Sequence, residues 1–214
     1  MRKYKDVSHK LKYSIKGEYP RVDAAVRPAQ IFNREIRLKI SRQYAYATRP
    51  NWSEFRDHVK VFPKEDPLET AEFNYEIMYA NEDIVSVRFH DVTYSYGAAH
   101  PLESYFSITF DFSRGVPVPV ATLFRADSHF LNRLIKLSKA KLDEQEVFTF
   151  PDAVEAELKR HVEWNVTAKG LVINFDRCAI TACADGERSI LIPYDDLNDI
   201  LRRDDDRFSR LFGN

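Results

Sequence analysis

A period-two alternation of apolar and polar residues, running from about residue 71 to residue 110, most strongly limits how this chain can fold. Such alternation is typical of half-buried β-strands, because successive side chains point to opposite faces. Turn-forming residues at 81–83 and 97–101 divide the region into three segments. We therefore predict three antiparallel strands in a meander. The alternation slips between Phe89 and Val92, which predicts a β-bulge at His90–Asp91.

The rest of the chain mixes helical and extended patterns. Apolar residues at Phe32, Ile36 and Ile40 predict one face of a helix from Pro28 to Thr48. The proline-containing segment 49–70 is predicted to be a loop with one short turn at 52–58, the alternative being a hinge between two halves of the chain. The other predicted elements are a strand at 9–18, helices at 119–145 and 151–162, a hairpin at 164–175, a strand at 189–194 and a helix at 197–202.

These elements predict an α+β fold: an antiparallel sheet with helices packed on one face, preceded by a small strand–helix subdomain. The predicted division places the N-terminal strand–helix subdomain and its proline-containing connector at 1–70. The main α+β subdomain follows at 71–202, and a polar tail at 203–214. A chain of 214 residues suffices for these parts to form one compact unit.

Charge and hydropathy exclude several classes of protein. Lys and Arg number 32 against 33 Asp and Glu, so no basic field favours nucleic acid, and no nucleic-acid partner is expected. No run of 18 apolar residues predicts a membrane span. The N-terminus is basic but lacks the apolar stretch of a signal peptide. Two locations are consistent with this: extracytoplasmic if a leader has been removed, and cytoplasmic otherwise.

The two cysteines, Cys178 and Cys183, are too few for a disulfide scaffold. A bridge between them requires the chain to loop, since an extended strand of this length spans roughly 17 Å. Their spacing is not that of a C-x-x-C redox pair. The favoured interpretation is two small buried side chains, with a disulfide as the alternative.

Several segments, taken in order, resemble one known family. They are YSYGAAHP at 94–101, VATLF at 120–124, GLVINF at 170–175, ADG at 184–186 and ILIPYDDL at 190–197. Together they resemble the RsiV/PdaC-type extracytoplasmic domain family, over about residues 10–202. Ala98 departs from the pattern, because a second glycine often stands there in the family, and Ala182 and Cys183 replace a proline and a tyrosine.

The resemblance implies a binding or sensing role at the cell envelope. In the anti-sigma factor RsiV such a domain senses lysozyme, and in PdaC it accompanies a separate deacetylase domain. The resemblance supplies no catalytic residues. It therefore predicts a non-enzymatic module that recognises an envelope protein, lysozyme being one candidate, or a glycan such as peptidoglycan. No cofactor is expected, because the six glycines do not cluster as a phosphate-binding loop requires.

The hairpin tip at 97–101 and the aromatic residues beside it form the candidate binding surface. The residues are Tyr94, Tyr96, Gly97, His100, Pro101 and Tyr105. Tyrosines at such a position can present an amphipathic contact patch. The alternative is that the tyrosines pack beneath the meander and that His100 only stabilises the turn.

An enzymatic alternative rests on His90, Asp91 and His100, the polar residues of the meander that could act on a cell-wall polymer. The same three residues could hold a metal as two histidines and one carboxylate, but no familiar ligand spacing appears and no metal site is predicted. A purely structural accessory subunit is a third hypothesis.

Overall fold

The computed structural model describes residues 1–23, 25–204 and 208, and this part of the chain forms two β-sheets and five α-helices. The helices are α1 (Arg27–Gln43), α2 (Ala45–Thr48), α3 (Trp52–Val61), α4 (Phe130–Glu144) and α5 (Ala153–Arg160). The strands are β1 (Arg2–Ser8), β2 (Tyr13–Tyr19), β3 (Glu69–Ala80), β4 (Ile84–Ser95), β5 (Leu102–Asp111), β6 (Val116–Pro117), β7 (Glu163–Val166), β8 (Gly170–Phe175) and β9 (Arg188–Pro193). The predicted α+β class is confirmed.

The larger sheet has six strands in the order β1-β2-β3-β4-β5-β6. The predicted meander is present as β3, β4 and β5, which pair antiparallel. Strand β2 instead pairs parallel with β3, because the chain passes through α1, α2 and α3 before it returns to the sheet. Strand β1 was not predicted, since its polar sequence shows little apolar alternation.

Helix α1 covers one face of this sheet. Phe32, Ile36 and Ile40 are fully or almost fully buried, as their spacing predicted. They pack with apolar residues of β2, β3, β4 and β5 in the first of two hydrophobic cores. Within that core Phe89 and Phe106 stack at a centroid distance of 4.6 Å.

The smaller sheet packs with α4 and α5 around a second core. Its order is β7-β8-β9, and the predicted hairpin is present as β7 and β8. All six residues of β8 are buried. Polar side chains join the two sheets: Asn165 donates to Ser86 at 2.9 Å, and Ser86 shares a 2.9 Å hydrogen bond with Thr109. The second sheet is thus fixed in register on the face of β4 and β5 that α1 leaves uncovered.

Four predicted details are wrong. The segment 49–70 contains the ten-residue helix α3, which Asn51 caps by accepting a 3.1 Å hydrogen bond from the Ser53 amide. The predicted helix at 119–145 consists of a short 3₁₀ turn at Val120–Leu123 and then α4. The predicted last helix is a 3₁₀ turn at Tyr194–Leu197.

The fourth error concerns the β-bulge. The β3–β4 register is continuous at His90 and Asp91 and shifts between Ile77 and Tyr79, so Met78 is the additional residue. The hydropathy pattern slipped at Asp91 because this carboxylate occupies an inward position that an apolar residue would normally take. Asp91 is fully buried beneath α1.

Asp91 is held by hydrogen bonds from three side chains. Its carboxylate accepts from the Tyr44 hydroxyl at 2.8 Å and from the Gln43 amide at 3.0 Å, and Ser104 donates at 3.2 Å. Burial raises the pKa of Asp91, and these hydrogen bonds offset only part of the rise. The contact ties the end of α1 to the middle of the sheet.

The predicted subdomain boundaries at 70 and 202 stay predictions, although β1 and β2 belong to the same sheet as β3 to β6. The predicted polar tail at 203–214 lies mostly outside the described residues, and Phe208 within it is buried in the second core. Among the described residues, no helix combines the length and the hydropathy that crossing a membrane requires.

Replacing Tyr44 by phenylalanine should lower the free energy of unfolding by about 1.5–3 kcal/mol, because a buried carboxylate loses a hydrogen-bond donor. Denaturant titration measures this loss. Tyr75→Phe is the matched control, since Tyr75 packs on the same core through Phe89 but does not bind Asp91. The control should change the free energy of unfolding by less than about 0.5 kcal/mol. Equal losses in both variants would contradict the role given to Tyr44.

Asp91→Asn should alter the pH dependence of stability. Because the folded pKa lies above the unfolded value of about 3.8, the folded chain holds this proton more tightly. The wild-type free energy of unfolding therefore falls as pH rises from about 3.8 through the folded pKa, and this component should be missing in Asp91→Asn. Unfolding titrations between acid and neutral pH test this, with the exposed Asp57→Asn as control. A variant profile that parallels the wild type would refute the assignment.

Candidate functional site

An open groove of about 770 Å³ lies on the face of the larger sheet turned away from α1. Thr70, Glu72 and Asn74 of β3 point into it, while their neighbours Ala71 and Phe73 are buried beneath α1. Strand β2 contributes Ser14 and Lys16, strand β4 contributes His90, Val92 and Tyr94, and Pro67 and Pro101 lie at the margin. The groove exists because β3 and β4 each have 12 residues, whereas the covering sheet has strands of at most 6.

The strand register sets the order of side chains across the groove. Lys16 pairs with Glu72, Glu72 with Val92, and Val92 with Glu103, so these residues form one row across four strands. Side chains directly opposite on neighbouring strands lie close enough to interact. The row therefore presents a cation, an anion, an apolar side chain and a second anion in turn.

Three side chains of metal-ligand type converge beside the groove. The Nε2 atom of His90 lies 3.8 Å from Oε2 of Glu103 and 3.7 Å from Oε1 of Glu187. One ligand atom of each residue lies within 4.8 Å of the others. The Nε2 atom is buried and has no hydrogen-bond partner among the described residues. A buried polar atom without a partner is costly in a folded protein.

A loop closed by a disulfide brings Glu187 to this place. Cys178 and Cys183 are bridged, and Arg177 donates to the Cys183 carbonyl at 2.8 Å and to Oε1 of Glu103 at 3.2 Å. The preceding Asp176 accepts a 2.8 Å hydrogen bond from the Tyr105 amide. These contacts fix the start of the segment that joins β8 to β9 against β5 and hold the disulfide loop to it.

The environment of Glu187 favours its ionised form. Burial raises the pKa of Glu187, but a hydrogen bond from its own backbone amide, the nearby His90 and the Tyr105 hydroxyl outweigh burial, so the pKa of this carboxyl is lowered. The Tyr105 hydroxyl donates to Oε1 of Glu187 at 3.4 Å. Burial and the Glu187 charge raise the pKa of Tyr105, which therefore keeps its proton as a donor at neutral pH.

The predicted binding residues occupy four different settings. Tyr94 and Pro101 line the groove, whereas the Tyr105 ring lies 5.5 Å from that of His90. Tyr96 packs against Phe62, with ring centroids 5.1 Å apart.

Gly97 lies against the Phe62 ring, and His100 contacts the backbone of its own turn. Gly97 adopts φ +92°, and a Cβ there would lie 2.7 Å from the Phe62 ring. His100 is exposed and contacts the Pro101 carbonyl at 3.0 Å. The hairpin tip is thus partly held by the segment that follows α3, and the assignment of all six residues to binding stays a prediction.

The cluster of His90, Asp91 and His100 is not formed. Asp91 points beneath α1, where Tyr44 and its neighbours bind it, and His90 points to the opposite face of the sheet. Adjacent residues of a strand cannot share a face, which is why these two separate. Glu103 and Glu187 take the place beside His90 that the sequence interpretation gave to Asp91 and His100.

The favoured interpretation of the cysteines is also wrong. They are bridged, with Cα atoms 4.3 Å apart, and lie half-buried and exposed rather than in a core. The chain loops between them, which is the condition that a bridge at this spacing requires.

Sequence reasoning missed Glu103, Glu187 and the groove residues Lys16, Glu72 and Asn74. A signal for Glu103 was present: in the predicted hairpin of β4 and β5, its position is diagonal to His90, within reach of long side chains. Nothing local marks Glu187, because its position depends on the docking of a distant loop.

Comparison with known proteins identifies the fold. No protein-family model matches the sequence, and no curated protein is similar to it. A DUF3298 family member from Bacteroides fragilis NCTC 9343 has a similar structure, with a TM-score of 0.61 and 14% identity, covering 94% of this chain and 92% of that one. A DUF3298 family protein from Pseudomonas aeruginosa PAO1 gives 0.59 and 13%, covering 100% and 97%. DUF3298 is a domain family that includes RsiV/PdaC-type domains.

Replacing both cysteines by serine should release the Glu187 loop and lower the free energy of unfolding by roughly 2 kcal/mol, since the bridge closes a short loop. Denaturant titration of the oxidised wild type and the double variant measures the difference. Reducing agent should lower wild-type stability by a similar amount and leave the double variant unchanged. Two reactive thiols in the unreduced protein would show that the bridge does not form.

Proposed function

We propose that this chain is a non-enzymatic binding or sensing module of the cell envelope and that its partner lies along the open groove. The observation that carries the proposal is the groove itself. Its volume of about 770 Å³ falls in the range of ligand-binding clefts, roughly 300–1,000 Å³. Apart from Pro67 and Pro101, its side chains stand on paired strands, which hold them in place better than loops do.

The chemistry of the groove suits a partner with both apolar and hydrogen-bonding groups. Tyr94, Val92 and Pro101 supply apolar surface, and tyrosine combines such surface with a polar hydroxyl. Lys16, Glu72 and Asn74 supply donors and acceptors of both charges. A protein loop or a glycan chain has groups of both kinds. The resemblance to RsiV/PdaC-type domains favours lysozyme as a protein partner and peptidoglycan as a glycan partner.

A non-enzymatic role is favoured by the hydrogen bonds of Asp91, one of the three residues of the enzymatic alternative, and of two serines in the meander. Asp91 accepts three side-chain hydrogen bonds in the first core. Ser95 donates to Glu69 at 2.6 Å, and the Ser107 hydroxyl lies within hydrogen-bond distance of Glu163 and of the Trp164 carbonyl. A serine nucleophile is activated by donating to a histidine, and none of these acceptors is a histidine.

An extracytoplasmic location is part of the proposal. The Cys178–Cys183 bridge supports it, because disulfides persist in oxidising compartments and are rare in the cytosol.

Calorimetric titration of the protein with a c-type lysozyme, and separately with soluble peptidoglycan fragments, tests the proposal. We expect one of the two to bind with micromolar or tighter affinity, about −8 kcal/mol or better. Tyr94→Ala should weaken that binding at least tenfold. Trp52→Ala is the control, because it removes an exposed aromatic side chain from α3, outside the groove.

Two results would count against the proposal. Absence of heat with both ligands would remove the two partners that the resemblance favours. Binding that Tyr94→Ala leaves unchanged would place the contact surface elsewhere on the molecule.

A further inference from the structure

We propose that His90, Glu103 and Glu187 form a binding site for a divalent transition-metal cation at the edge of the groove. The site shares His90 with the groove lining, but metal binding there requires no protein or glycan partner. Three observations carry the inference: the spacing of the ligand atoms, the Nε2 atom that lacks a hydrogen bond among the described residues, and the contacts that orient the two carboxylates.

The spacing is close to what a cation requires. A tetrahedral zinc ion with bonds of roughly 2.0–2.2 Å holds neighbouring ligand atoms about 3.4 Å apart. The two distances from Nε2 of His90, 3.8 Å and 3.7 Å, exceed this by a few tenths of an ångström. Small side-chain rotations close that difference, since both glutamates have flexible side chains.

The Nε2 atom of His90 is suited to a metal. It is buried, has no hydrogen-bond partner among the described residues and lies between two carboxylate oxygens. A metal bound through this atom would satisfy it and compensate the charge of the two carboxylates together. Imidazole with carboxylates is a donor set for zinc, manganese or iron, whereas magnesium and calcium prefer oxygen ligands alone.

The surrounding contacts orient the carboxylates as partners of metal ligands usually do. Arg177 binds Oε1 of Glu103, which leaves Oε2 turned toward His90. Tyr105, which lies on the same strand as Glu103, donates to Oε1 of Glu187 at 3.4 Å. His90, Glu103 and Glu187 come from β4, β5 and the residue preceding β9, so the elements that carry them are fixed by both sheets.

Titration of metal-free protein with Zn²⁺, followed by calorimetry and by equilibrium dialysis, tests the site. The full chain should bind one Zn²⁺, and the complex should unfold at a higher temperature than the metal-free chain. His90→Gln, Glu103→Gln and Glu187→Gln should each weaken Zn²⁺ binding at least tenfold. Co²⁺ should give the absorption bands of a bound ion in the wild type and lose them in His90→Gln.

His161→Gln is the matched control, because His161 and Glu163 form an exposed histidine–carboxylate pair at 2.9 Å elsewhere on the surface. This variant should bind Zn²⁺ as the wild type does. Circular dichroism of each metal-free variant verifies folding, and the two glutamate variants serve if His90→Gln does not fold. No stoichiometric Zn²⁺ binding, or equal binding in wild type and the three variants, would overturn the proposal. Lysozyme or peptidoglycan binding is measured separately, so either proposal can fail alone.

Discussion

Strand β4 has to satisfy two different neighbours with alternate residues, and the rest of the structure is arranged around this constraint. Val85, Val87 and Phe89 point toward α1 and belong to the first core. Ile84 and Ser86 point the other way, toward the second core and the smaller sheet. Because the smaller sheet is shorter than β4, the outward residues beyond Arg88 are left uncovered. The groove is therefore a direct result of two sheets of unequal length packing face to face.

The pair His90 and Asp91 shows how strongly the period of two separates chemical roles. Asp91 sits in an apolar core, where a buried carboxylate is tolerated only because several donors surround it. One residue earlier, His90 lies on the open face with two carboxylates beside it. A shift of register by one residue would exchange these environments and lose both sets of contacts.

The sequence predicted those elements whose signal is a hydropathy pattern within a single segment. The meander followed from alternation, and the buried face of α1 followed from Phe32, Ile36 and Ile40. It was insufficient where position depends on tertiary packing. The prolines around α3 suggested a loop, although a capped helix fits between Pro50 and Pro63. The groove could be located in part, through Tyr94 and Pro101, but the cluster at its edge needs Glu187, which is 97 positions from His90 in the chain.

The two outer strands of the larger sheet determine whether copies of this protein can pair edge to edge. Strand β1 exposes Arg2, Lys3 and Lys5 along one margin, and β6 at the other margin consists of two residues, one of them a proline. Like charges and a missing amide both disfavour the addition of a further strand. The sheet is thereby protected against edge-to-edge aggregation, and its polar backbone groups are a poor template for fibril growth.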